Sequence, residues 1–276
     1  MPKGVLYLVA TPIGNLEDVT FRAIRVLGEV TLIAAEDTRR TAKLLRRYEI
    51  KTPTWSLHEH NERQRTPAVI SKLEDGQSVA FVTDAGTPLL SDPGAHLVTS
   101  TLAQGFRVEP IPGASAILSA LVASGLAENQ FTFVGFPPSR SKNRQLWLQA
   151  LKAEPRPIVL FEAPHRIMRC LTDMASVLGD REIAVCREMT KAHEELVKGP
   201  ISAVIGGFKS IKGEFTIVVA PQPVAHIQPT PADILVEFGH LTNRRPSRRA
   251  AVKEISKKYG LSAQSVYESL ERIKRK

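Results

Sequence analysis

Short apolar runs, each ended by a Gly/Pro or polar cluster and followed by a helical stretch, constrain this fold more than any other feature of the sequence. Residues 5–10 form one continuous apolar run, 30–35 a second and 79–82 a third, with a further strand expected over 106–110. Such runs suit strands covered on both faces, as in a parallel sheet. Helical stretches are expected over 18–28, 38–47, 65–73, 96–103 and 117–123. This alternation predicts a doubly wound α/β domain.

The second half is expected to be α/β as well, with more adjacent strands. Strands are expected near 131–136, 157–161, 182–186 and 215–220, and helices over 139–151 and up to residue 178. A Pro-rich stretch over 223–231 marks a linker. Beyond it, helices over 247–259 and 262–273 are expected to meet at Gly260, with Ser262 as cap and Val252, Ile255, Tyr259, Val266, Leu270 and Ile273 as the buried stripe. Helix, glycine turn, helix is a helix-turn-helix outline. The predicted boundaries are therefore 1–111 and 112–222 for two α/β domains, 223–231 for the linker and 232–276 for a basic helical domain.

The strand ends are where α/β proteins hold ligands, because main-chain N–H groups there lack partners. After the run at 79–82 come Asp84, Gly86, Thr87 and Pro88, which cannot continue a central strand. Ser91-Asp92-Pro93-Gly94 then offers a helix start, with a capping side chain followed by Pro in the first turn. Pro12 and Gly14 shape the loop after the first run, and Pro112 and Gly113 shape another, where Ala114, Ser115 and Ala116 keep bulk away. Two strand ends gather charge: Glu36-Asp37-Thr38-Arg39-Arg40 and Glu162-Ala163-Pro164-His165-Arg166. A solvated helix start is the plainer reading of residues 36–40. His58 and His60 share a face of an extended segment, but no third ligand accompanies them and no metal is expected.

The formal charge of +9 is concentrated at one end. Residues 242–276 hold 11 Lys/Arg and 3 Asp/Glu; the rest of the chain holds 26 and 25. A basic block of this kind suits a polyanion, most often nucleic acid. Cys170 and Cys186 are too few for a disulfide framework, which fits a reduced, cytoplasmic setting. Neither a signal peptide nor a membrane span is expected. The GxGxxG and GxxxxGK[ST] phosphate fingerprints are missing, as is the GxSxG of hydrolases. On these grounds alone, a ligand-responsive regulator with a helix-turn-helix tail remains a coherent reading.

Several motifs, taken in order, narrow the choice. Leu6-Tyr7-Leu8-Val9-Ala10-Thr11-Pro12-Ile13-Gly14-Asn15-Leu16-Glu17-Asp18, Ala35-Glu36-Asp37-Thr38-Arg39, Asp84-Ala85-Gly86-Thr87-Pro88, Ser91-Asp92-Pro93-Gly94, Pro112-Gly113-Ala114-Ser115-Ala116 and Phe161-Glu162-Ala163-Pro164-His165-Arg166 resemble the ribosomal RNA small subunit methyltransferase I family of the tetrapyrrole methylase superfamily. The resemblance runs over roughly residues 4–220, and the C-terminal segment resembles the family's small extra domain. It implies S-adenosylmethionine as cofactor, held in a cleft between two α/β domains. It also implies 2′-O-methylation of a cytidine ribose in the decoding region of 16S rRNA, and a homodimer. By the same resemblance the cofactor-binding residues are Pro12, Asp84, Ala85, Gly86, Thr87, Leu89, Pro112, Gly113, Ala114, Ser115, Ala116 and Phe161. Thr87 stands where the superfamily has Asp, which makes Asp84 the carboxylate to check. A ribose hydroxyl is a weak nucleophile and benefits from a general base. The candidates are Glu36, Asp37, Glu162 and His165, with Arg39 and Arg166 to hold phosphates and Arg244, Arg245, Arg248 and Arg249 as the tail's RNA contacts.

Overall fold

The computed structural model describes residues 3–208, 210–222, 229–244, 247–259 and 261–274; of residues 244, 273 and 274 it describes the backbone alone. The chain divides into two compact units, Met1–Gln222 and Pro223–Lys276. The first opens with β1 (Val5–Val9), a 3-10 turn (Leu16–Asp18), α1 (Phe21–Glu29), β2 (Leu32–Ala35), α2 (Thr38–Arg47), β3 (Thr54–Ser56), α3 (Glu62–Glu74), β4 (Val79–Val82), α4 (Ala95–Ala103) and β5 (Arg107–Ile111). The five strands form a parallel sheet in the order β3-β2-β4-β1-β5. Every residue of β2 and β4 is buried, which is why their sequences carry no polar alternation.

Opposite faces of this sheet are covered by different helices. Ala23, Val26 and Leu27 of α1 pack with Leu44 and Leu45 of α2 on one face. Val69 and Leu73 of α3 and Leu97 of α4 pack on the other. Neighbouring strands β1 and β4 thus send their chains to opposite faces. A crevice opens at their carboxyl ends, the usual ligand position in an open α/β sheet.

The rest of the first unit contains α5 (Ala116–Ala123), β6 (Thr132–Phe133), α6 (Ser141–Leu151), β7 (Ile158–Glu162), α7 (Ile167–Leu178), β8 (Glu182–Arg187), β9 (Glu195–Pro200), α8 (Ile201–Ile205) and β10 (Phe215–Val219). Its sheet runs β6-β7-β10-β8-β9, parallel at β6-β7 and antiparallel elsewhere. Ile117, Ala120 and Leu121 of α5 cover one face with Val159 and Val218. The helices α6, α7 and α8 cover the other.

The second unit contains α9 (Pro231–Arg244), α10 (Arg248–Tyr259) and α11 (Ala263–Lys274), closed on Ile234, Phe238, Val252, Ile255, Val266 and Leu270. The first of these helices begins inside the stretch read from sequence as linker. Thr230 and Asp233 explain its start: the Asp233 amide donates to Thr230 Oγ1 at 3.2 Å, and the Thr230 amide donates to Asp233 Oδ2 at 2.9 Å. This is a reciprocal capping pair with Pro231 in the first turn. Linker residues 223–228, Gly260 and the side chain of Ile273 lie outside the described residues.

The structure corrects the sequence reading in three further places. The expected cap of α4 by Ser91 or Asp92 does not form. Gly94 precedes the helix in a left-handed conformation (φ 116°), and the first-turn amide of Leu97 donates instead to buried Glu62 Oε1 at 2.8 Å. Strand β3 had no expectation because its three residues are half-buried and too few for an apolar run. Strand β9 likewise hides its signal, since it alternates half-buried and exposed positions at a sheet edge.

Candidate active site

Three loops meet at the carboxyl ends of the first sheet. Thr11 and Gly86 exchange main-chain hydrogen bonds at 2.9 Å in both directions, joining the β1 and β4 loops. Ala10 donates to Ile111 O at 3.1 Å, and a Cβ on Gly113 would stand 3.0 Å from the Ala10 side chain. Gly113 therefore lets the third loop lie against the first. The β4 loop is bent by two non-glycine residues in left-handed conformations, Leu89 (φ 73°) and Ser91 (φ 70°). Such residues cost about 1 kcal/mol or more each and persist where surrounding structure holds them.

Between the two sheets lies a cavity of about 340 Å3, a size suited to a small ligand. Its first-lobe wall contains Ile13, Arg40, residues 84–87, Leu90, Ser91 and Asp92, with Ser115, Ala116 and Ile117 beside it. Phe136, Phe161, Met189, Glu214 and Thr216 belong to the opposite wall. The lobes touch next to the cavity: the Asn15 amide donates to Thr190 Oγ1 at 3.0 Å, and a Cβ on Gly14 would meet Met189 O at 2.9 Å.

Of the expected cofactor residues, Asp84, Ala85, Gly86, Thr87, Ser115, Ala116 and Phe161 line the cavity. Pro12, Leu89, Pro112, Gly113 and Ala114 do not; they shape the same loops while neighbours Ile13 and Leu90 face inward. The cavity also takes in Asp92, Phe136, Met189 and Glu214, for which the sequence raised no site expectation, and Arg40, from a charged cluster whose plainer reading was a solvated helix start. Arg40 stands in the charged motif after β2, and Asp92 in a motif read as a helix cap.

The four base candidates have different fates. Asp37 caps α2 and is gripped by Arg39 at 2.8 Å. The Arg39 side chain holds this carboxyl well below the usual range. Glu36 accepts the Asp84 amide at 3.1 Å, and burial raises its carboxyl above the ordinary value. Glu162 accepts from the Ala163 amide at 2.8 Å and Arg166 Nε at 2.7 Å. Its side chain is fully buried and lies near the Cys170 thiol, which is raised by burial first and then by the Glu162 charge. Glu162 thus anchors a turn beneath α7. His165 is exposed and outside the cavity lining.

The arginines are similarly sorted. Arg39 is exposed and paired with Asp37. Arg166 is committed to Glu162 and to Pro137 O, at 2.7 Å each. Arg248 and Arg249 are exposed at the start of α10. The side chain of Arg244 and all of Arg245 lie outside the described residues.

The cavity suits a small cation with an aromatic part. Carboxylates of Asp84, Asp92 and Glu214 belong to its wall, and Phe136 and Phe161 present rings 5.5 Å apart. Asp84 Oδ1 is buried without a hydrogen-bond partner, an acceptor that a donor group would satisfy.

The sequence pattern of the tetrapyrrole (corrin/porphyrin) methylases matches residues 5–205. Proteins named ribosomal RNA small subunit methyltransferase I align with most of the chain. That of Synechocystis sp. is 50% identical over 79% of each chain. That of Bacillus subtilis is 51% identical over 78% of this chain and 75% of its own. That of Escherichia coli O157:H7 is 42% identical over 90% and 88%. Solved structures share the fold at lower identity. Uroporphyrin-III C-methyltransferase from Thermus thermophilus, complexed with S-adenosyl homocysteine, gives a TM-score of 0.56 at 19% identity over 79% of this chain and 97% of its own. Cobalt precorrin-4 methyltransferase gives 0.60 at 14% identity, over 78% and 94%.

Proposed function

The chain belongs to the tetrapyrrole methylases and, within them, to the ribosomal RNA small subunit methyltransferase I family, and from that membership we propose that it is an S-adenosylmethionine-dependent methyltransferase acting on a cytidine 2′-hydroxyl of 16S rRNA in the small ribosomal subunit. The alignment across both lobes with relatives of that name carries this reading. The cofactor supplies an electrophilic methyl group on a positively charged sulfur.

The chain's own groups do the rest by positioning and electrostatics. Asp84 and its loop present carboxylate and main-chain groups to a cationic ligand, while Ile13, Phe136, Phe161 and Met189 exclude water around it. Small residues Ala85, Gly86, Ser115 and Ala116 leave room for close approach. Arg40 at the cavity wall pairs with Asp84 Oδ2 through Nη1 at 3.1 Å and Arg39 pairs with Asp37; both side chains are exposed, and their remaining N–H groups are left for a phosphate backbone. The helical unit with its basic surface adds affinity for RNA through counterion release.

Incubation with methyl-labelled S-adenosylmethionine and either small subunits or naked 16S rRNA tests donor and acceptor together. The expected product is a single ribose-methylated cytidine, located by resistance of the adjacent linkage to alkali. Label on a base, on large-subunit RNA only, or on an added tetrapyrrole would refute the proposal.

A further inference from the structure

We propose that the outward face of α2 is a phosphate-tracking ridge that leads the RNA strand to the mouth of the cavity, an inference that rests on the RNA methyl-transfer reading above.

The sequence of α2, Thr38–Arg47, is TRRTAKLLRR. Arg39, Arg40, Lys43, Arg46 and Arg47 are basic, and no acidic residue interrupts them. Outside this helix, residues 1–222 hold 21 Lys/Arg and 23 Asp/Glu. The first unit is therefore slightly acidic except along one helix. At 3.6 residues per turn, the five basic side chains fall within one arc of about 120°. All five are exposed. The opposite arc holds Thr41, Leu44 and Leu45, which are buried.

This arrangement costs the free protein stability. Lys43 has Arg39 and Arg40 one turn before it and Arg46 and Arg47 one turn after, and like charges three or four positions apart repel. Arg39 and Arg40 also stand in the first turn, where the helix dipole disfavours cations. Those two are answered by Asp37 at 2.8 Å and Asp84 at 3.1 Å. Lys43, Arg46 and Arg47 form no ion pair among the described residues, and the Arg47 guanidinium lies 5.7 Å from the centre of the Tyr48 ring. A repulsive row of this kind becomes favourable when a polyanion neutralises it and sheds its own counterions.

The position of the ridge identifies the polyanion. Arg40, in the first turn, belongs to the cavity wall. Just past the last turn, the Tyr48 hydroxyl donates to Leu16 O at 2.8 Å, in the segment that follows the cavity residue Ile13. The ridge is about 15 Å long at 1.5 Å per residue, begins at the cavity and carries a cation on every turn. Such a stripe matches a nucleic-acid backbone, which repeats its negative charge at each nucleotide. An acidic protein surface offers the same charge, but the strand that delivers a ribose to the cavity must itself pass this end of the first lobe. Lys43, Arg46 and Arg47 thus supply affinity and register for the RNA.

The test is a full-length triple variant, Lys43→Gln with Arg46→Gln and Arg47→Gln. Its control loses equal charge from exposed positions of the second lobe: Lys142→Gln with Lys152→Gln and Arg169→Gln. Binding to naked 16S rRNA is titrated from about 50 to about 200 mM salt. The α2 triple should bind about tenfold or more weakly at the lower salt, and its slope of log affinity against log salt should be shallower by about 2, or roughly 0.7 per lost phosphate contact. The control should move the slope by less than half as much. In methylation assays the KM for RNA should rise in the α2 triple, with S-adenosylmethionine affinity held and the low-salt melting temperature not lowered, because a repulsion has been relieved. Equal losses in the two triples overturn the inference, since net charge alone then explains them. Wild-type RNA binding by the α2 triple overturns it too, as does a loss confined to assembled subunits, which would assign the face to a protein partner. Each of these leaves the methyl-transfer reading standing. A wild type that neither binds nor methylates 16S rRNA overturns that reading as well.

Discussion

At the scale of single residues, proximity in sequence to a strand end was a weak guide to what a charged side chain does. Glu36 and Asp37 follow β2 and Glu162 ends β7, yet Asp37 serves a helix terminus and Glu162 serves a buried turn. Asp37→Asn should therefore keep both the cap and the methylation rate, since Asn caps as well as Asp. Glu162→Gln should lower stability by about 2 kcal/mol by weakening the charge-assisted bond to Arg166, measured by urea unfolding, with little change in turnover of the folded fraction. The pH dependence has a definite sign. Glu36 and Asp92 are raised in the folded protein, so these two groups hold protons there that the unfolded chain has lost, and their own contribution to stability falls as pH rises through about 6. Asp37, Asp173 and Glu188 are lowered and act oppositely, losing their contribution as pH falls through the carboxylate range. Replacing Asp92 by Asn should remove most of the first slope and leave the second, which calorimetry across pH will show.

At the scale of elements, two glycines hold the site together for different reasons. Gly94 begins α4 at φ 116°, and a Cβ there would stand 2.5 Å from Phe81 Cε1. Phe81 is fully buried in β4, so it cannot withdraw. Gly94→Ala should cost about 2 kcal/mol or more, seen as a lower unfolding midpoint at unchanged slope. Gly14 instead presses the β1 loop onto the segment carrying Met189, whose flanking residues Glu188 and Thr190 have positive φ. Ile13 and Met189 both face the cavity, so Gly14→Ala shifts two of its walls. That variant should bind S-adenosylmethionine several-fold more weakly with a small change in melting temperature, a contrast calorimetric titration will reveal.

At the scale of the whole molecule, the two compact units separate cofactor and charge. Removing residues 223–276 leaves the cavity residues intact and takes most of the net positive charge with it. The shortened protein should bind S-adenosylmethionine as before, while its affinity for 16S rRNA drops and depends less steeply on salt. Equal salt slopes with and without the tail would refute a role for it in RNA binding. The parallel half of the fold was legible in residue order, because strands buried on both faces must be apolar throughout, as β2 and β4 are. It also marked the loops that border the cavity, since Gly and Pro stand where the chain must turn beside a strand end. It did not announce β3, β9 or α9, whose signals are a three-residue edge strand, a half-exposed alternation and a Thr-Pro-Ala-Asp cap. Above all, folding settles which cavity acid has no cation beside it among the described residues. Arg40 neutralises Asp84 across a separation of many residues and Lys191 neutralises Glu214 across another, while Asp92 is left among like charges. Proton affinity depends on distances through space, which residue order along the chain does not contain.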